Sequence, residues 1–346
     1  MNPLLTKAES GGDLSRAELV ELLSLPKDDP QFQELLDVAD RVRARTMGDG
    51  VYLRGIIEFS NICRVDCHYC GIRRSNRTVQ RYRMPVDVIV DTARRAEGLG
   101  YGSVVLQSGE GDALPPDELA EAVRRIKAET SLAVTLSVGE RTKEEYAYWK
   151  QAGADRYLLR HETSDPELFA RLRPGRTLAQ RLQCLQWLRE TGYQVGSGFM
   201  VGLPGQSLAS LAGDIDLLRE LHVEMAGIGP FIPGPETPLA GESGGTVEMA
   251  LKCVALTRIC IPDAHLPATT ALGSIHPMGR QLALNAGANI IMPNVTPASY
   301  RENYQLYPNK ICLLEEPEHC APCVAGLIAS QGRYVASGQG HSPRVG

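Results

Sequence analysis

The chain has 346 residues, 43% apolar and 22% charged, with a formal net charge of −5. That is the balance of a soluble globular protein, long enough for one barrel or two ordinary domains, with no broad basic field to attract nucleic acid. No run of about 18 apolar residues exists to span a membrane, and residues 1–13 lack the apolar stretch of a secretory signal. Residues 1–50 read as a helical N-terminal extension. Asp13-Leu14-Ser15-Arg16-Ala17-Glu18 supplies capping residues for one helix, and 31–46 repeats apolar residues at helical spacing. The extension is expected to lie as a lid over one end of the main domain, and it carries no chemistry.

Between 51 and 297, short apolar runs alternate with longer helical patterns. The strand candidates are 52–59, 103–107, 133–138, 156–161, 194–201, 225–231, 267–272 and 289–293. Helices are predicted near 84–99, 115–129, 143–152, 177–191, 207–221, 246–260 and 278–286. Such alternation forces parallel pairing through right-handed crossovers, and eight repeats suffice to close a (β/α)8 barrel of the TIM type. An open barrel of six strands is the alternative; full closure is the expectation. Active sites of these barrels form at the C-terminal ends of the strands. Residues 298–346 make a C-terminal segment.

The first predicted strand leads into Cys63-Arg64-Val65-Asp66-Cys67-His68-Tyr69-Cys70. Three thiolates on one loop, spaced C-x3-C-x2-C, suit three irons of a [4Fe–4S] cube whose fourth iron stays open. A structural zinc site is the other reading, but zinc loops usually bring a second C-x2-C pair close by. The second strand ends Gln107-Ser108-Gly109-Glu110, a small turn that lets backbone approach a ligand. Thr135 and Ser137 share one face of the third strand, and Arg160 and Glu162 one face of the fourth. A cation late in a barrel strand suggests an anionic ligand, with Glu162 available to a cationic one. His161 points the other way and reads as structural. Gly196, Gly198 and Met200 leave room on the fifth strand, Gly202-Leu203-Pro204-Gly205-Gln206 makes a turn, and Thr269 and Thr270 bring hydroxyls to the seventh.

Nine cysteines, six of them in two tight clusters, point to metal ligation in a reducing cytosol rather than to disulfides. Cys184, Cys253 and Cys260 stand alone in helical patterns and read as buried thiols. The second cluster, Cys312, Cys320 and Cys323, could hold a second Fe–S centre, zinc, or nothing. Pro317 and Pro322 suggest an ordered loop there, and the residues after about 325 show no pattern.

The C-x3-C-x2-C loop with Tyr69 before its last cysteine resembles the signature of radical S-adenosylmethionine (SAM) enzymes. The resemblance narrows to the HydE family, the radical SAM maturases of FeFe-hydrogenase, over about residues 50–325. It is carried by Ile56-Ile57-Glu58-Phe59-Ser60-Asn61 before the loop, by Val105-Leu106-Gln107-Ser108-Gly109-Glu110 and by Arg156-Tyr157-Leu158-Leu159-Arg160-His161-Glu162-Thr163. Further along it rests on Gly227-Ile228-Gly229-Pro230-Phe231-Ile232-Pro233, Pro267-Ala268-Thr269-Thr270-Ala271 and Tyr304-Gln305-Leu306-Tyr307-Pro308. The Gln107–Glu110 turn departs from the family's Gly-Gly-Glu at its first position. The resemblance implies a [4Fe–4S] cluster on Cys63, Cys67 and Cys70. It implies SAM contacted by Tyr69, Gln107, Ser108, Glu162, Arg181 and Tyr304. It also implies a small iron complex bearing cysteine, carbon monoxide and cyanide, bound by Thr135, Ser137, Arg160, Thr269 and Thr270. An optional second cluster, 2Fe–2S or 4Fe–4S, would sit on the tail cysteines. Other hydrogenase maturases and an electron donor are the implied partners, in the cytoplasm. Methylornithine-synthase-like rearrangement, biotin-synthase-like sulfur insertion and a non-catalytic Fe–S scaffold are the rival readings.

Overall fold

The computed structural model of the chain describes residues 2–111, 114–313 and 315–344. Three helices come first: α1 (Pro3–Glu9), α2 (Arg16–Leu23) and α3 (Pro30–Met47). There follow β1 (Gly50–Ser60), α4 (Val86–Gly98), β2 (Ser103–Ser108), α5 (Pro116–Glu129), β3 (Ala133–Ser137), α6 (Lys143–Gln151), β4 (Arg156–Leu158), α7 (Pro166–Leu172) and α8 (Leu178–Glu190). The chain continues through β5 (Gln194–Val201), α9 (Leu208–Glu220), β6 (Met225–Pro230), α10 (Val247–Cys260), α11 (Thr270–Ile275), α12 (Gly279–Asn285) and β7 (Ile290–Ile291). It ends with α13 (Ala298–Arg301), α14 (Pro317–Ala329) and β8 (Tyr334–Val335).

The strands pair in parallel, in the order β6-β5-β4-β3-β2-β1-β7, as the strand–helix alternation requires. Residues 265–268 span the remaining gap. Ala226 N donates to His265 O at 3.0 Å, and Ala268 N donates to Ile290 O at 2.8 Å. The ring is therefore closed, as expected, but the predicted strand 267–272 is not one. After a single bridge from Pro267 to Ile290, Thr269 takes extended backbone and its Oγ1 accepts from Leu272 N at 3.4 Å, capping α11. Threonine at an N-cap wins over its strand propensity. The predicted fourth strand, 156–161, likewise stops at Leu158, and Glu162 adopts the left-handed region at φ 66°.

Strand alternation divides the side chains. Ile57, Phe59, Val104, Leu106, Val134, Leu136 and Tyr157 face the helices and make the main core. Their neighbours Gln107, Ser137, Leu158, Arg160, Met200 and Gly229 face inward. At the N-terminal ends of the strands Arg54, Arg156 and Gln194 are buried, and the last stretch of chain covers them. Arg156 Nη2 donates to Gln339 O at 2.7 Å and Arg54 Nη2 to Gly340 O at 3.1 Å. The barrel thus has a floor, and its open end is where the strands finish. Residues 326–344, without pattern in the sequence, form this floor, the end of α14, and β8 paired with the start of β1.

The N-terminal helices do not cover an end of the barrel. Their apolar sides pack on its flank, α2 against α9 and α3 against α10. Ser15 and Glu18 form the expected capping box on α2. The tail cysteines also depart from expectation, because 317–329 is a helix. Pro317 occupies the first turn, where no amide donor is needed. Interior Pro322 costs about 3 kcal/mol, which burial of Val324 and Ile328 at about 1.5–3 kcal/mol each offsets. Cys184, Cys253 and Cys260 lie in α8 and α10, the first two buried.

Candidate active site

The loop after β1 is fixed from several sides before it presents its thiols. Asn61 Nδ2 donates to Gln80 O at 2.8 Å and Asn303 O at 2.7 Å. The Arg81 guanidinium ties down Asn61 O and Ile72 O through Nη1, and Arg73 O and Asn76 O through Nη2. Backbone bonds from Arg64 N to Glu110 O, His68 N to Leu172 O and Gly71 N to Leu306 O dock the loop on three neighbouring segments. Gly109 is required here, since a Cβ would stand 2.3 Å from Ile62 O and 2.8 Å from Cys63 Cβ. Cys63, Cys67 and Cys70 line the mouth of a cavity of about 290 Å³ at the open end of the barrel. Burial raises all three thiol pKa values, against the pull of Arg173. Among the described residues no group of three His, Cys, Asp or Glu converges as a single metal ion would need.

A buried charge cluster flanks the thiols. Glu110 Oε2 accepts from Arg173 Nη2 at 3.0 Å and from Arg181 Nη2 at 3.2 Å. Arg181 Nε lies 2.9 Å from Glu140 Oε1, and Arg176 Nη1 lies 3.4 Å from Glu140 Oε2. Burial opposes charge on Glu110, but Arg181, Arg173 and Arg176 together hold its carboxyl below the usual range. Gly139 makes room for Glu110, whose Cγ would be 2.2 Å from a Cβ there. Arg173, Arg176 and Arg181 face Glu110 and Glu140, so positive charge is in excess on this wall. Arg181, near the start of α8, is 3% exposed. Arg173 was not singled out by the sequence. It follows α7 without a motif, yet its Nη1 donates to Tyr69 OH at 3.0 Å and it lines the cavity. Only its place in the folded barrel reveals it.

Twelve of the residues singled out by sequence line this one cavity: Cys63, Cys67, Tyr69, Cys70, Gln107, Ser108, Ser137, Arg160, Glu162, Arg181, Thr269 and Tyr304. Gln107 Nε2 donates to Tyr304 OH at 3.2 Å. Arg160 Nε is 3.6 Å from Glu162 Oε2. Thr135 and Thr270 are not among the lining residues. Thr135 is buried deeper in the barrel, its Oγ1 without a partner, and Thr270 faces a small neighbouring pocket. His161 is fully buried outside the barrel interior, its Nδ1 3.0 Å from Ser197 Oγ and its Nε2 3.7 Å from Asp214, in the structural role expected.

Thr270's small pocket is also lined by Arg280, Lys310, Cys312 and Cys320. A hydrogen bond from Cys320, helped by Arg280 at 3.8 Å, holds the Cys312 thiol pKa below the usual thiol range. Cys323, one turn along α14 from Cys320, is exposed.

The sequence profile of the Radical SAM superfamily matches residues 57–218. The chain is 50% identical to the [FeFe] hydrogenase maturase subunit HydE of Thermotoga maritima, covering 96% of this chain and 95% of that one. It is 30% identical to the 3-methylornithine synthase of Methanosarcina acetivorans over 82% and 81% of the two chains. Among solved structures, methylornithine synthase (PylB) superposes with a TM-score of 0.85 at 27% identity, covering 96% of this chain and 97% of that one. The FeFe-hydrogenase maturase HydG from Carboxydothermus hydrogenoformans shares the fold, with a TM-score of 0.79 at 21% identity over 95% and 77%.

Proposed function

The chain belongs to the HydE family of radical SAM enzymes, and on that premise we propose that it acts in assembling the active-site cluster of FeFe-hydrogenase. The family implies a [4Fe–4S] cluster and SAM. The residues present fit them: three thiols share one loop at the cavity mouth, and the wall beside them carries excess positive charge and a buried Arg173 Nε without a hydrogen-bond partner. Cys63, Cys67 and Cys70 would hold the cluster; Tyr69, Gln107, Ser108, Glu162, Arg181 and Tyr304 would hold SAM. When bound, this pair supplies a 5′-deoxyadenosyl radical by one-electron reductive cleavage.

The protein's own contribution is orientation and exclusion of water. The fixed loop gives the cluster one geometry. Arg181 and Arg173 offer charge-assisted donors to a carboxylate, and Glu162 is an acceptor for hydroxyl or amino groups. Deeper in, Arg160, Ser137 and Thr269 would bind the polar ligands of an iron–cysteine complex carrying carbon monoxide and cyanide, with Thr135 and Thr270 behind them. A floored barrel shields a radical and a labile complex from side reactions. The tail cysteines are proposed to hold a second Fe–S centre, and an electron donor and the other maturases to be the partners.

The observation that carries this reading is the single cavity joining the thiol loop to the Arg160–Glu162 pair, in a chain half identical to a named maturase. The methylornithine synthases, at lower identity, are the weaker guide. The test is activation of apo-hydrogenase by the reconstituted protein with SAM, reductant and the iron–cysteine complex, alongside a companion assay for 3-methylornithine. Activation supports the maturase; formation of 3-methylornithine with no activation refutes it.

A further inference from the structure

Building on the cofactor pocket assigned above, we infer that Lys310 is a positioning residue for that pocket, latching the tail that bears the second cysteine set to the wall SAM would touch. The Lys310 side chain is 8% exposed and its ammonium pairs with the carboxylate of Glu58, which is 2% exposed. The other oxygen of that carboxylate accepts from Asn294 Nδ2 at 2.8 Å. The same ammonium donates to Tyr304 O at 3.3 Å and lies 5.4 Å from the centre of the Tyr304 ring. Tyr304 OH accepts from Gln107, and Gln107 is the register partner of Glu58 across β1 and β2. Contacts therefore run in a closed circuit from Lys310 to Glu58, along the ladder to Gln107, to Tyr304 and back.

Lys310 does not line the main cavity. It lines the small pocket beside it, with Cys312 and Cys320, so it acts through Tyr304. Glu58 gives the latch its specificity: a buried carboxylate without its cation is strongly unfavourable, so segment 304–312 has one place to sit. Loss of the cation frees Tyr304, leaves Gln107 without a fixed partner, and loosens the wall without touching the cluster ligands.

The experiment compares anaerobically reconstituted parent, Lys310→Met, Lys310→Arg and the double variant Glu58→Gln/Lys310→Met. SAM binding is read from the change it causes in the electron paramagnetic resonance spectrum of the reduced cluster, beside KM and kcat for SAM cleavage. Lys310→Met is expected to raise the KM for SAM about tenfold with kcat within about twofold, and Lys310→Arg to restore it. The double variant leaves no buried charge unpaired, so it is expected to fold as stably as the parent while still binding SAM about tenfold more weakly. A parent-like KM and spectrum in Lys310→Met, or in the double variant, overturns the inference. A parent protein whose spectrum ignores SAM would instead refute the cofactor pocket itself.

Discussion

Arg160 Nε lies 3.6 Å from Glu162 Oε2 on the cavity wall, and neither atom completes a hydrogen bond in the protein. Arg160→Ala is expected to bind SAM nearly as the parent does but to lose substrate-dependent turnover by roughly 10²-fold, the loss of one charge-assisted contact worth about 3 kcal/mol. Glu162→Gln is expected to weaken SAM binding itself. SAM affinity in both variants, with product formation from the iron–cysteine complex, separates the roles. Parent-rate turnover by Arg160→Ala would remove Arg160 from the substrate site.

Glu162 also holds a backbone conformation that side chains resist, at φ 66°. Left-handed backbone costs a non-glycine residue about 1–2 kcal/mol, while glycine costs the chain up to about 1 kcal/mol in entropy. Glu162→Gly should therefore keep or slightly raise the denaturant midpoint while SAM affinity falls. A lower midpoint would mean that the carboxylate contributes to folding.

Arg173 bridges Tyr69 OH and Glu110 beside the thiols. A cation near the cluster favours its more negative, reduced state. Arg173→Met is expected to lower the cluster's reduction potential and weaken SAM binding by about tenfold or more, since Tyr69 and Glu110 lose one charge-assisted donor. Redox titration followed by electron paramagnetic resonance measures the first effect; an unchanged potential would place the guanidinium too far away to matter.

Cys312 and Cys320 line a small pocket beside the main cavity, and Cys323 is exposed. Replacing Cys312, Cys320 and Cys323 together by Ser is expected to lower iron per chain yet leave SAM cleavage near the parent rate, because the Lys310 latch stays intact. Loss of maturation with the first cluster still loaded would show the second centre to be essential.

Much of this site was readable before folding because its residues sit in local patterns: three cysteines in one loop, Arg160 and Glu162 two residues apart, a glycine beside Glu110, although β4 ends at Leu158 and Glu162 lines the cavity from left-handed backbone rather than from a strand. The barrel was readable because strand and helix periods differ. Arg81, Arg173 and Lys310 were not, since each acts on a partner distant along the chain or in a loop, with no periodicity to mark it. Threonines at 269 and 270 suit a strand by propensity, but a helix cap took the first. The floor was hidden for the same reason, being built from carbonyls of 339 and 340 whose side chains say nothing of Arg54 and Arg156.

The most direct measurement is 5′-deoxyadenosine formation by anaerobically reconstituted, reduced parent and Cys67→Ala proteins supplied with SAM. Cys67 sits between the other two thiols on a loop held by backbone bonds at Arg64, His68 and Gly71. The parent is expected to cleave SAM and Cys67→Ala to form none. Parent-level 5′-deoxyadenosine from Cys67→Ala would contradict the assignment of this loop as the seat of the radical-generating cluster.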